Sequence, residues 1–348
     1  MGEGNNREED TVNKLLRYGC AAVLVALFGL MQGAQAQSSM HDPLRDGYYQ
    51  NFHGKKVVFV PVFMGLDLTE GWSKMMATQA KKLGYSYEVR NSNFNTAAGA
   101  QTLTSLISEK PDVIVVQNPD IQSYSKLFQQ AEKAGIRVIQ LNMKTNYQTT
   151  GFVGADVELI GEMEAKAAVA KCGSGAQPGK VLILGGPPTS PFSAYMLKGY
   201  ENILNNNANI QVVSVQSTGD YESSKAKSIT QVVLQQHPDL CAILGVWDNA
   251  DVGTAAALKE AGKSDQVLLA TSGGGGALAC KGLRSNMWQY YVSYDVPGQG
   301  RDLNTLIVAA LQDTSPVSHT KTVLYTPLIA YTPKSLGDEK CWTLDTLR

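Results

Sequence analysis

KVVFVPVF (Lys56–Phe63) and, farther on, PDVIVV (Pro111–Val116) are answered in the second half of the chain by KVLILGG (Lys180–Gly186) and PDLCAIL (Pro238–Leu244). Lys180 follows Lys56 by 124 positions and Pro238 follows Pro111 by 127, so the spacing is repeated as well as the wording. Both halves then run into helical patterns that end alike, AEKAG (Ala131–Gly135) and LKEAG (Leu258–Gly262), followed by the strand-like IRVIQLN and QVLLATS. One α/β domain is therefore written twice, and two matched lobes leave a cleft between them.

Around these landmarks, short apolar runs alternate with longer amphipathic stretches. In the first half the runs are Val57–Phe63, Tyr85–Arg90, Val113–Val116 and Val138–Leu141, separated by helical patterns over Trp72–Leu83, Ala98–Glu109 and Ile121–Ala134. Gly84 and Gly135 stand where a helix closes through a left-handed residue. The second half gives strands over Val181–Leu184, Gln211–Val215, Ala242–Val246 and Val267–Thr271. Its helices fall over Phe192–Leu204, Ser223–Gln235, Asn249–Ala261 and Ala277–Leu283. Unbroken apolar strands between helices predict parallel sheets covered on both faces.

Phe152–Val157 joins the halves, and Glu158–Lys171 reads as the first helix beside the second lobe. Spare elements follow the second repeat: a strand over Met287–Tyr294, a helix over Arg301–Leu311 and a strand over Val323–Tyr331. A chain that crosses back in this way makes a hinge of several strands. The expected division is a first lobe of residues 55–154 plus 296–318 and a second of 155–295 plus 319–348, with a loose lead-in at 37–54.

The chain has 348 residues and a formal net charge of −1, with no Lys/Arg cluster to follow a phosphate backbone, so nucleic-acid binding is not expected. Lys14 and Arg17 precede the apolar run Ala21–Leu30, and Ala34-Gln35-Ala36 supplies an A-x-A site. That pattern predicts an export signal over residues 1–36, cleaved before Gln37; the run is too short for a span of roughly 20 apolar residues. Cleavage removes Cys20 and leaves Cys172, Cys241, Cys280 and Cys341, an even set suited to two disulfides in an oxidising compartment.

No catalytic cluster is visible. His41, His53, His237 and His319 recur at neither metal-ligand nor catalytic spacing, and no C-x-x-C pair occurs. Gly273–Gly276 follows a strand but lacks the setting of a dinucleotide loop and the Lys-Ser/Thr of a phosphate loop. Neither an enzyme nor a metal or cofactor is expected.

Ligands of open α/β sheets bind beyond the carboxyl ends of the strands. There the sequence gathers Met64–Asp67, Gln117–Asp120, Asn142–Lys144, Pro187–Ser193, Asp220-Tyr221, Trp247–Asn249 and Ser272-Gly273. KKLGYSYEV, PDVIVVQNPD, AEKAGIRVI, FVGADVELIGEMEAK, DYESSKA and DNADVGTAAALKEAG, in this order and spacing over residues 55–335, resemble the periplasmic sugar-binding proteins of ABC importers, near the ribose-binding group. The resemblance implies two flavodoxin-like lobes, a closing hinge and delivery of ligand to an inner-membrane permease by a monomeric carrier.

A flavodoxin-like strand order, 2-1-3-4-5, makes the first and third strands of a lobe neighbours. Cys172, just before the first strand, then faces Cys241 at the start of the third, and Cys280 pairs with Cys341 by elimination. The ribose pattern itself is rewritten. Its Asp-Arg pair is Asn142-Met143 here, its second-lobe Arg is absent from Ser190–Tyr195, Trp247 stands where an Asn precedes Asp248, and Ser272 replaces an Asp.

Sugar recognition needs flat apolar faces and planar polar groups. Trp247, Tyr221 and Trp72 are the candidate stacking faces; Asp67, Asn118, Asn142, Asp248, Ser272 and Asp295 are the candidate polar contacts. The expectation is an exported solute-binding protein for a monosaccharide or sugar alcohol. An exported sensor subunit for a membrane receptor is the alternative.

Overall fold

The computed structural model describes residues 42–317 and 321–347. The expected export signal, the cleavage before Gln37, Cys20, His41 and His319 lie outside the described residues. Pro43–Gln50 forms a short helix in a unit of its own that ends at Gln50, where a loose lead-in was expected. Residues from Asn51 onward make up the second unit, which carries both repeats. Among the described residues no helix is long and apolar enough to cross a membrane.

Each repeat builds one six-stranded sheet. The first contains β1 (Lys56–Val60), β2 (Ser86–Val89), β3 (Val113–Val116), β4 (Arg137–Leu141), β5 (Gly151–Gly154) and β11 (Thr322–Tyr325), in the order β2-β1-β3-β4-β5-β11. The second contains β6 (Gly179–Gly185), β7 (Ile210–Ser217), β8 (Leu240–Gly245), β9 (Leu268–Gly273), β10 (Tyr290–Ser293) and β12 (Ile329–Tyr331), in the order β7-β6-β8-β9-β10-β12. All pairings are parallel except β10 with β12. Central strands such as β3, VIVV, are buried along their whole length, as a sheet covered by helices on both faces requires. Gly84 closes the helix Asp67–Leu83 at φ 88°, its N–H returning to the Ala80 carbonyl at 2.8 Å.

One boundary is corrected. The run Val323–Tyr331, expected as a single strand of the second lobe, is broken at Pro327. Proline has no N–H to give to a ladder. The part before it, β11, pairs with β5 in the first sheet, and only β12 joins the second. The helix Val296–Gln312 packs on Asp67–Leu83 in the first lobe. Three connections therefore link the lobes: β5 to the helix Val157–Cys172, β10 to the helix Val296–Gln312, and β11 to β12.

Both expected disulfides form. Cys172 and Cys241 have Cα atoms 6.0 Å apart, and Cys280 and Cys341 5.9 Å. The first pairing follows from the ladder, in which β6 lies beside β8 with Lys180 opposite Leu240. The second ties down a tail that touches both lobes. Trp342 Nε1 donates to the Gly274 carbonyl at 2.8 Å, and Lys74 Nζ of the first lobe donates to the Leu344 carbonyl at 2.6 Å. The glycine run is explained by this contact: a Cβ at Gly276 would press on the Trp342 ring, and Gly275 sits at φ 77°.

Two carboxyls lie deep in the second lobe. Asp251 accepts from Thr271 Oγ1 at 2.6 Å and Thr254 Oγ1 at 3.1 Å, and burial pushes its pKa up to about 7. Glu164 accepts from the Tyr200 hydroxyl at 2.7 Å, and burial raises its pKa well above the ordinary value. Each binds a proton more readily folded than unfolded. The stability they contribute is complete below the ordinary carboxylate pKa and is lost as pH rises through the folded one. The melting temperature should therefore fall from about pH 5 to about pH 8, and less steeply in Asp251→Asn. Thermal denaturation across that range checks this; equal slopes in the two proteins would contradict it.

Candidate functional site

The carboxyl ends of the two sheets enclose a cavity of about 60 Å³ to which both lobes contribute. From the first lobe come Val62, Phe63, Leu66 and Leu68 after β1, Phe94 after β2, Gln117 after β3, and Asn142 and Met143 after β4. The second lobe supplies Phe192 after β6, Tyr221 after β7, Trp247 after β8 and Tyr294 after β10. Six aromatic rings thus line one small space, held mostly in pairs. Phe63 and Phe94 stack at 5.3 Å between centroids; Tyr221 and Trp247, and Phe192 and Tyr294, meet edge to face at 5.7 Å.

Several of these residues are held by unusual backbone. Asn142 has φ 59° and Tyr221 φ 61°, left-handed values that cost a non-glycine residue roughly 1–3 kcal/mol unless the surroundings fix them. Tyr221 is fixed by its hydroxyl, 2.8 Å from Ser190 Oγ and 3.2 Å from Ser193 Oγ, and by its ring lying against Gly186, where any side chain would collide. Burial raises the pKa of this phenol. Asn142 is fixed by its side-chain oxygen, which accepts from the Ala155 backbone N–H at 3.0 Å and from Gln299 Nε2 at 3.1 Å.

Of the nine residues singled out from the sequence, Asn142, Tyr221 and Trp247 line the cavity. The other six do not. Trp72 is fully buried in the helix Asp67–Leu83 with its indole N–H unpartnered, and is a core residue. Ser272 is buried and gives its hydroxyl to the Val246 carbonyl at 2.9 Å. Asn118 is buried and donates to the Asp120 carbonyl, which closes the turn after β3. Asp295 begins the helix Val296–Gln312 at φ 48°, on a lobe connection, with its backbone N–H on Ser293 Oγ. Asp67 is exposed at the start of its helix.

Asp248 is spent inside the second lobe, where it accepts from the Tyr291 hydroxyl at 2.8 Å and from Asn249 Nδ2 at 2.9 Å. Burial raises its pKa to about 6.

Phe63, Phe94, Phe192, Tyr294 and Gln117 line the cavity without having been singled out. Phe63 and Gln117 obey the strand-end rule, which could have found them; Phe94 sits in an irregular turn at φ 57° that no pattern announces. Lys144 is the nearest cation by sequence, but it lines a separate hollow. Its ammonium donates to the Tyr325 hydroxyl at 2.7 Å and lies over the Tyr195 ring at 4.9 Å. Among the described residues no His/Cys/Asp/Glu group is arranged to hold a metal ion.

Residues 57–315 match the family model described as periplasmic binding protein domain. The ribose import binding protein of Bacillus subtilis is 26% identical over 207 residues, 59% of this chain and 66% of its own length. The D-xylose-binding periplasmic protein of Haemophilus influenzae is 26% identical over 209 residues, 58% of this chain and 61% of its own. The matches therefore span less than two thirds of these relatives. Among solved structures, a galactofuranose binding protein superposes with a TM-score of 0.73 at 18% identity, covering 84% of this chain and 98% of its own. A solute binding protein of Burkholderia graminis in complex with D-arabinose gives 0.72 at 19%, covering 83% and 99%. At these identities the superpositions establish the fold.

The two tryptophans separate core from cavity. Trp72→Ala should cost about 3–5 kcal/mol of stability, as loss of a buried aromatic does, whereas Trp247→Ala, at a half-buried cavity wall, should cost far less. Urea denaturation of both variants measures the difference, and equal losses would place Trp247 in the core.

Proposed function

Because the chain belongs to the periplasmic binding protein domain family, we propose that it is an exported solute-binding protein, acting in the periplasm, that captures a small neutral carbohydrate between its lobes and delivers it to an ABC permease. The single observation that carries this reading is the aromatic cavity formed jointly by the two lobes at the carboxyl ends of both sheets. Aromatic faces suit the C–H patches of a sugar ring, and a site shared between hinged lobes converts binding into closure. The relatives named for ribose and xylose and the neighbour holding D-arabinose support a sugar as ligand. A carrier of this kind binds its ligand and releases it unchanged, so no catalysis is proposed.

Charge argues for a neutral ligand. A strongly anionic one would call for a cationic clamp. The cavity wall holds no Lys or Arg, and Lys144 is engaged with tyrosines elsewhere.

A thermal-shift screen of the protein beginning at Gln37 against neutral sugars and polyols tests the reading. A ligand at 100 times its Kd should add about 2.7 kcal/mol of stability. Trp247→Ala should then weaken that ligand at least tenfold, about 1.4 kcal/mol, by calorimetry. A best ligand carrying phosphate or sulfate, or unchanged affinity in the variant, would overturn the assignment of this cavity.

A further inference from the structure

Beyond β12 and the short helix Pro333–Leu336, the chain returns to the boundary between the lobes. Cys341 is bonded to Cys280 in the helix Ala277–Arg284, and the Trp342 backbone bridges to Gly276, so this tail is fixed to the second lobe. Within a few residues the same tail lies on the first lobe. The turn Leu344–Thr346 packs on the helix Asp67–Leu83, where Lys74 Nζ donates to the Leu344 carbonyl, and Leu347 is buried.

Trp342 fills the seam. A Cβ at Gly71 in the first lobe would lie 3.4 Å from its ring and 3.1 Å from Leu347, and one at Gly276 in the second lobe would lie 3.2 Å from the same ring. Gly274, whose carbonyl accepts the Trp342 indole N–H, is also approached by Leu68, which lines the cavity. The tail is thus a fourth link between the lobes, beside the site. Unlike the three chain connections, it is held by one covalent anchor and by side-chain contacts.

We infer that Cys341–Leu347 is a strap that fastens the second lobe to the first beside the cavity and holds the two together before any ligand arrives. The inference goes beyond the carbohydrate reading and does not depend on which ligand is bound. The chain from Cys341 to Leu344, fully extended, reaches at most about 10 Å. The strap therefore cannot follow lobes that part widely. Either Leu344 and Leu347 leave the helix Asp67–Leu83, or Trp342 leaves Gly274 and Gly276. Contacts made in only one of two arrangements raise the share of that arrangement, and with it the apparent affinity for anything held there. The Cys280–Cys341 bond fixes the near end of the strap, so losing the bond should release the far end as well.

Spin labels at Lys126→Cys and Lys198→Cys report the separation of the lobes. Both positions are exposed, on the helices Ser125–Lys133 and Pro191–Leu204, and they flank the contact in which the Ile121 N–H donates to the Thr189 carbonyl at 3.1 Å across the rim. Dipolar electron resonance is measured on the ligand-free protein beginning at Gln37. Cys280→Ser with Cys341→Ser, and separately Trp342→Ala with the disulfide kept, should each shift the distances to longer values. Cys172→Ser with Cys241→Ser is the control. That bridge lies at the amino ends of β6 and β8 and spans a sequence separation of 69 against 61, so its constraint on the unfolded chain is nearly the same. Its loss should leave the distances unchanged. Should a double variant prove unfolded by circular dichroism, Trp342→Ala against the unsubstituted protein decides. Unchanged distances in the strap variants, or an equal shift in the control, would overturn the inference. The carbohydrate reading is tested by ligand binding and stands apart from either result.

Discussion

The side-chain oxygen of Asn142 is the point on which lobes and cavity both depend. It stands at the end of β4 in left-handed backbone and receives two donors from different lobe connections. Ala155 lies between β5 and the helix Val157–Cys172; Gln299 lies in the first turns of the helix Val296–Gln312. One carbonyl thus pins two of the three crossings while the amide nitrogen of the same group borders the cavity. Rotation of the amide to serve a ligand with its oxygen would leave two buried N–H groups unsatisfied, which costs more than a typical hydrogen bond returns. The site is therefore confined to donation at this position by the architecture rather than by choice of residue alone.

The same economy of polar groups runs through the second lobe. Asp248, Asp251 and Glu164 are buried carboxyls whose bonds all point inward, to Tyr291, Thr271, Thr254 and Tyr200. Burial raises the pKa of all three, Asp248 to about 6 and Asp251 to about 7, so each holds its proton to a higher pH than an ordinary carboxyl. Hydrogen bonds among buried groups fix one arrangement of helix on sheet, because any slip would strand a polar atom. The cavity wall is mostly aromatic and aliphatic, with Thr69, Gln117 and Asn142 as its polar side chains beside the rings.

Much of this was legible in the chain. Repetition at fixed spacing gave the two lobes, apolar runs gave parallel sheets, and strand adjacency gave the Cys172–Cys241 bridge that the ladder of β6 and β8 brings within reach. The strand-end rule picked out Asn142, Tyr221 and Trp247, which line the cavity. It misplaced Trp72, because an aromatic one turn into a helix can face either cleft or core, and only packing decides. Ser272 and Asp248 sit at strand ends too, but the Val246 carbonyl and the Tyr291 hydroxyl claim them. Such tertiary partners leave no trace in local sequence. Pro327 was a signal that could have been used: it marks where the last crossing leaves one sheet for the other.

The departures from the ribose pattern acquire a common physical sense once the cavity is seen. Exchanging an Asp for Asn142 removes an acceptor, and exchanging an Arg for Met143 removes the charge that such an acceptor would balance. Neither change is tolerable alone, since a lone buried Asp or Arg would be an unpaired charge. Made together, and accompanied by Trp247 and by Phe192 in a helix start without Arg, they leave the strand-end wall lined by rings rather than by charged side chains. The fold accommodates the exchange because the wall residues sit at strand ends, beyond the ladders that hold the sheets. Chemistry at the cleft can therefore be rewritten while the repeat beneath it, Lys56–Phe63 answered by Lys180–Gly186, stays readable.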